Sequence, residues 1–109
     1  MTRAARLRRS SDIAIVRAEG RAIRRGAFTA RVRMSDADQT RLAVTASRAV
    51  GHAVVRNRAR RRVREAFRRA ITPQSRPVDV IVSVRREAVD TDFGSLERDA
   101  RAVLGEAER

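Results

Sequence analysis

The run "VVRNRARRRVREAFRRA", Val54 to Ala70, carries eight arginines and one glutamate, yet its apolar residues keep helical spacing. At about 100° per residue, Val55, Ala59, Val63, Ala66, Phe67 and Ala70 fall on one stripe. Asn57, Arg61, Arg64 and Arg68 fall opposite, with Arg60 beside them. Arg58, Arg62 and Arg69 form a flank on which Glu65 can pair with Arg62 or Arg69. A disordered charge block has no such stripe. The segment is expected to be a helix with one face in a core and a crowd of like charges on the other, which costs stability unless an anion sits among them.

The rest of the chain must supply the core. "SSDIAIVRAEG" reads as a helix of about two turns. Ser10 or Ser11 is placed to cap it, Asp12 to meet the positive end of its dipole, and Gly20 to close it in the left-handed conformation. Ile13 and Val16 share one side. "AFTARVRM" alternates, with Phe28, Ala30, Val32 and Met34 on one face and Thr29, Arg31 and Arg33 on the other. "SDADQ" has turn chemistry, and "RLAVTAS" alternates again, with Leu42, Val44 and Ala46 opposite Arg41, Ala43, Thr45 and Ser47. Two such strands in succession suggest an antiparallel pair with a buried face and a basic one. "TPQSRP" ends the arginine helix. "VDVIVSV" follows, with four valines on one face and Ile81 on the other, which suits an interior strand. "RREAVDTD" is a turn with Thr91 or Asp92 as a cap, and Phe93, Leu96, Ala100, Val103 and Leu104 mark a last helix. The expected order is helix, two or three strands, helix, strand, helix: an α+β fold with helices covering the apolar face of a sheet.

With 109 residues and no internal linker, residues 1–109 read as a single domain, with residues 1–9 as a flexible basic arm. Net charge is +13, and all 26 basic residues are arginine, so a polyanion is the expected partner. There is no cysteine, which excludes disulfides, thiol catalysis and ordinary zinc fingers. No apolar run approaches the roughly 20 residues of a membrane span. The start "MTRAARLRRSSDIAIV" lacks the apolar length and the cleavage site of a signal peptide. A cytoplasmic location is expected.

For catalysis the sequence is poor. His52, the only histidine, reads as a capping or surface residue rather than a general base. The carboxylates have arginine neighbours, and neither metal-ligand spacing nor a phosphate-cradling glycine loop is present. As a solvated face, the arginine helix would carry mixed charges. As a membrane-surface helix it would need larger apolar residues than alanine and valine. As a nucleic-acid surface it offers guanidinium forks for phosphate oxygens on a rigid scaffold, and this reading is favoured.

The words "RLAVTASRAVGHAVVRNRARRRVREAFR" resemble the signature of the bacterial ribonuclease P protein component: a strand ending in Ser-Lys/Arg, then Gly-Asn-Ala-Val, Arg-Asn-Arg and a basic helix. Ser47, Arg48, Gly51, Ala53, Val54, Arg56, Asn57, Arg58, Arg60, Arg61, Arg64, Glu65 and Phe67 match. The likeness extends to "SSDIAIVRAEG", "VDVIVSVRREA" and "DFGSLERDARAVL". The resemblance implies a four-stranded sheet with three helices in the order αβββαβα, with a left-handed crossover around the arginine helix. It implies a subunit of the ribonucleoprotein that removes the 5′ leader from precursor tRNA. Catalysis would belong to the RNA subunit, with Mg2+ held mainly by that RNA and the substrate, and the isolated protein would have no catalytic residue and no metal site. RNA-binding residues would be Ser47, Arg48, Arg56, Asn57, Arg58, Arg60, Arg61, Arg62, Arg64 and Arg68. A leader cleft between sheet and first helix would include Ile13, Arg17, Arg31 and Thr45.

The sequence departs from the family pattern at several of these positions. The family usually has aromatic residues where this chain has Ile13, Arg17 and Arg31; His52 stands for the usual Asn and Ala49 for a basic residue. The expected partners are ribonuclease P RNA and precursor tRNA, with no membrane and no obligate protein partner. Two alternatives carry the same composition: a ribosomal or other structural RNA-binding protein, and a DNA-binding protein, for which a dimerisation element is missing.

Overall fold

The computed structural model describes residues 5–72 and 76–107. Along the chain run β1 (Ala5–Arg6), α1 (Ser10–Glu19), β2 (Arg21–Arg24), β3 (Phe28–Met34), β4 (Arg41–Ala46), α2 (Ala53–Ala70), β5 (Val78–Val84) and α3 (Phe93–Ala107). Single 3-10 turns at Arg48–Val50 and Arg86–Val89 follow β4 and β5.

β5 takes the centre of the sheet because it is apolar on both faces, and only a central strand buries both. Val78, Val80, Val82 and Val84 lie in the main core, while Ile81 is buried on the other side. The sheet has five strands in the order β1-β4-β5-β3-β2. This corrects two expectations. β3 and β4 are not an antiparallel pair, since β5 lies between them, antiparallel to β3 and parallel to β4. The "SDADQ" segment therefore spans the start of β5 instead of forming a hairpin, and Ser35 N–H donates to the Pro77 carbonyl just before β5 (3.1 Å). Nor is the sheet four-stranded. The arm, expected to be flexible, contributes Ala5 and Arg6 as a parallel edge strand on β4. Ala5 N–H donates to Thr40 O and Leu7 N–H to Leu42 O, both at 3.0 Å. The rest of the arm, residues 1–4, lies outside the described residues.

Helices cover both faces, not one. α2 and α3 pack on the face carrying Ala30, Val32, Leu42, Val44, Val80 and Val82, around Val63, Phe67, Leu96 and Val103. α1 lies on the opposite face, where Val16 meets Leu7 and Ile81, with Ile13 and Ala43 at the margin. Met34, expected on the buried face, is the last residue of β3 and is exposed. Among the described residues no helix is long and apolar enough to cross a membrane.

The ends of α1 differ from expectation. Arg9 holds the N-terminal cap position with no side-chain capping bond, and Asp12 turns to Arg41 instead. Gly20 is extended (φ −73°) rather than left-handed. What demands glycine there is close approach: a Cβ would fall 2.4 Å from Val16 O and 2.8 Å from Arg31 Cγ. Gly51, at φ +146° before α2, is the position where backbone conformation favours glycine. Asp92 caps α3 as expected, its Oδ2 accepting from Ser95 N–H (3.2 Å).

Candidate nucleic-acid interface

The apolar stripe of α2 is the one its spacing indicates. Ala59, Val63, Ala66, Phe67 and Ala70 are buried, and Val55 packs at the edge of the same core. Phe67 meets Phe28 edge-to-face, with ring centroids 5.3 Å apart. With that face fixed against β4 and α3, the arginines have no choice but to face outward.

They divide into tethered and untethered groups. Arg56 Nη1 donates to Gly51 O (3.1 Å), tying the loop to the helix. Arg62 Nη1 donates to Ala88 O (2.7 Å) and Val89 O (2.9 Å), which holds the turn after β5 against α2. Glu65 therefore pairs not with Arg62 but with Arg68 (3.3 Å) and Arg69 (3.2 Å), and Arg69 also stacks over Phe93 at 4.9 Å. Arg60 donates to the Asn57 side-chain oxygen. The side chains of Arg48, Arg58, Arg61 and Arg64 have no hydrogen-bond or ion-pair partner among the described residues. Burial, and after it the positive charges of Arg6, Arg60 and Arg68, push the Arg64 guanidinium pKa below the ordinary arginine value. Ser47 is exposed at the start of the 3-10 turn, and His52 sits at the α2 cap position without making a capping bond.

Two open recesses mark this surface. One of about 600 Å³ lies at the start of α2, lined by Arg48, Gly51, His52, Ala53, Val55, Arg56 and Arg86. The other, about 430 Å³, lies along the exposed face between Val54, Asn57, Arg60, Arg61 and Arg64.

Of the four residues expected in a second cleft, Arg31 and Thr45 lie on the α1 side of the sheet and Ile13 and Arg17 lie on α1. Arg31 and Ala43 flank Ile81 in one row, and Thr29 and Thr45 flank Ser83 in the next. Arg31 is half-buried, and its Nη1 donates to Gly20 O at the end of α1 (3.1 Å). Thr45 is exposed, with a long bond to Val82 O (3.4 Å). Ile13 is half-buried above them and Arg17 is exposed.

One network escaped the reading of the sequence. Asp79 is 1% exposed, and Arg41 grips it through two nitrogens at 2.8 and 2.7 Å while donating to Asp12 at 3.1 Å. Hydrogen bonding to Asp79 leads the effects that raise the Arg41 pKa above the ordinary arginine value. The signal was present: an aspartate among the valines of a central strand calls for a cation beside it. Arg85 was missed as well; it pins the β2–β3 turn by donating to Thr29 Oγ1 (2.7 Å) and Phe28 O (2.8 Å). Among the described residues no three His, Asp or Glu side chains gather as a metal site. Asp12, Glu19, Glu65, Asp79 and Asp99 are each paired with arginine.

The comparisons with known proteins agree with one another. The model of the family described as Ribonuclease P matches residues 1–108. The chain belongs to the ribonuclease P protein family. The ribonuclease P protein component of Chloroflexus aurantiacus is 39% identical over 108 residues, covering 98% of this chain and 80% of the relative. The ribonuclease P protein of Staphylococcus aureus superposes with a TM-score of 0.78 at 25% identity, covering 96% of each chain. That of Thermotoga maritima gives 0.76 at 28% identity, covering 93% of this chain and 96% of the other. The chain is thus a protein subunit of the ribonucleoprotein endoribonuclease of tRNA processing, and ribonuclease P RNA is its partner. The ribosomal alternative is not favoured.

Proposed function

We propose that the outer face of α2 docks on ribonuclease P RNA and that the α1 side of the sheet holds the 5′ leader of precursor tRNA. The observation that carries the first half is the set Arg58, Arg61 and Arg64: guanidinium groups on a rigid helix, with no carboxylate taking them up among the described residues. Ser47, Arg48, Arg56, Asn57, Arg60 and Arg68 border the same surface. Arg62 contributes through the turn it holds, since one nitrogen is spent on two carbonyls. For the leader, Ile13, Arg17, Arg31 and Thr45 offer one apolar side chain, two guanidiniums and a hydroxyl on one face. Arginine stacks on bases as well as meeting phosphate, so it can stand where relatives use rings.

In this reading the RNA subunit performs the hydrolysis, with Mg2+ on RNA phosphates, and the protein supplies binding and orientation. Residues 1–109 act as one RNA-binding domain in the cytoplasm, without an obligate protein partner. The β4–α2–β5 crossover is left-handed, as the family likeness implies.

Reconstitution is the test. Protein free of RNA should leave precursor tRNA intact. Added to ribonuclease P RNA at low magnesium it should raise the cleavage rate, more for substrates with a leader than for those without. Specific cleavage by the protein alone would overturn the assignment of hydrolysis to the RNA subunit, and stimulation indifferent to the leader would overturn the second half of the proposal.

Arg61→Ala supplies a site-specific check. The side chain is exposed and untethered, so the melting temperature should stay within a degree or two of the parent, surface changes being worth about 0.5 kcal/mol or less. Affinity for ribonuclease P RNA should fall about tenfold, the value of a charged hydrogen bond. Unchanged affinity would remove Arg61 from the interface.

A further inference from the structure

The arm was expected to be a loose source of charge, but β1 gives it a direction. Leu7 is buried at 4% exposure against Val16 and Ile81, on the α1 side of the sheet. Side chains alternate along an extended chain, so Arg6 projects to the other side, where α2 lies. Register agrees: Arg6 stands beside Leu42, whose side chain belongs to the core under α2. β4 carries α2 above it, and β1 is the edge strand next to β4, so Arg6 comes up along the border of the helix.

Arg64, on the helix that packs over β4 on this same side of the sheet, feels the charge of Arg6. It is half-buried, with Arg6 foremost among the charges acting on it, followed by Arg60 and Arg68. Two of these four cations are partly balanced: Arg68 by Glu65 and Arg60 by the Asn57 amide oxygen. Arg6 and Arg64 have no such balance among the described residues. The fold thus brings two unneutralised guanidiniums from distant parts of the chain to one place and leaves the repulsion between them standing.

We propose that Arg6 and Arg64 form a single clamp for an RNA backbone phosphate, gripped jointly by the edge strand and the helix. The proposal rests on the reading that α2 faces RNA. It extends that surface off the helix and onto the sheet edge, and makes the strand pairing of the arm part of recognition. One phosphate between two guanidiniums removes the repulsion that each imposes on the other, so the two contributions depend on each other. That phosphate belongs either to ribonuclease P RNA or to precursor tRNA.

The test uses Arg6→Gln, Arg64→Gln, the double variant and Arg6→Lys in the full chain. Without RNA, Arg6→Gln should melt at or above the parent temperature, because a repulsive charge has gone and Leu7 still anchors the strand. With ribonuclease P RNA across a salt series, Arg6→Gln should lose about tenfold in affinity at moderate salt. Its log–log salt slope should be shallower by about 0.7–0.9, the value of one phosphate contact. Arg6→Lys should keep the slope. The double variant should lose little more than either single one, since contacts that share a partner are not additive.

A loss confined to the holoenzyme with leader-bearing precursor tRNA assigns the phosphate to the leader, and a loss with ribonuclease P RNA alone assigns it to that RNA. Both support the clamp. Additive losses mean two independent contacts and overturn it. If Arg61→Ala and Arg64→Gln weaken binding while Arg6→Gln does not, the clamp fails and the helix interface stands. If none of the three changes binding, the interface itself is wrong and the clamp falls with it.

Discussion

Phe67→Ala is expected to cost the fold about 3–5 kcal/mol while leaving the outer face of α2 as it was. Phe67 has no exposed surface. It lies on the α2 stripe near the C-terminal end of the helix, edge-on to Phe28 of β3, so truncation removes burial and the ring–ring contact together. Backbone elements surround the site on both sides, which restricts collapse of the cavity. Domains of this size have only about 5–15 kcal/mol in total, so the variant should lose about a fifth of its stability or more. Urea titrations should show a much lower midpoint at an unchanged slope. Where the variant remains folded, its affinity for ribonuclease P RNA should match the parent, because Arg61 and Arg64 project from the opposite face and Arg58 from an exposed flank. A variant that melts like the parent but binds poorly would reverse the two faces assigned to α2.

Arg41→Met should be as damaging, for an electrostatic reason. It leaves the Asp79 carboxylate almost fully buried with its cation gone, a situation that costs about 3–5 kcal/mol. Asp79→Asn should cost less. Arg41 then keeps Asp12 at 3.1 Å and is partly open to water, so its charge is not stranded. Combining Arg41→Met with Asp79→Asn should recover much of the loss, because no unpaired charge remains in the interior. Thermal melts of the three variants decide the matter. If Asp79→Asn proves worse than Arg41→Met, or the double variant falls by the sum of the two, the cost lies in packing and not in the stranded carboxylate. The network also joins α1 to β4 and β5. The Arg41 variants should therefore lose affinity for the leader before they lose affinity for ribonuclease P RNA.

Much of this molecule was legible from single segments. The stripe of α2, the alternation of β3 (save at its last residue, Met34) and of β4, the two-faced β5 and the core spacing of α3 all stand where the pattern puts them. Each is a property of one segment's own backbone repeat, which forces side chains onto faces whatever the partner. The choice of a polyanion as partner was legible for a related reason, since +13 of net charge acts at a distance and does not depend on packing. The Arg-Asn-Arg motif then narrowed the polyanion to a family.

The strand order was not legible, nor was β1, the side taken by α1, or the pairing of Arg41 with Asp79. β3 and β4 look like partners by pattern. They are separated because inserting β5 between them buries its valines and Ile81 at once, a gain visible only when whole arrangements are compared. β1 is two residues long, too short for any period, and forms because β4 leaves an edge of unpaired backbone groups that Ala5 and Leu7 can meet. α1 carries too little apolar surface to announce which face it covers; Leu7 and Ile81 decide it by meeting Val16. Arg31 shows the limit most plainly. Its place on the polar face of β3 follows from alternation, but its bond to Gly20 O exists only because α1 ends above it. Patterns within a segment record short-range geometry. Partners, order and sides are set by long-range contacts that compete in free energy while leaving every segment's own pattern unchanged.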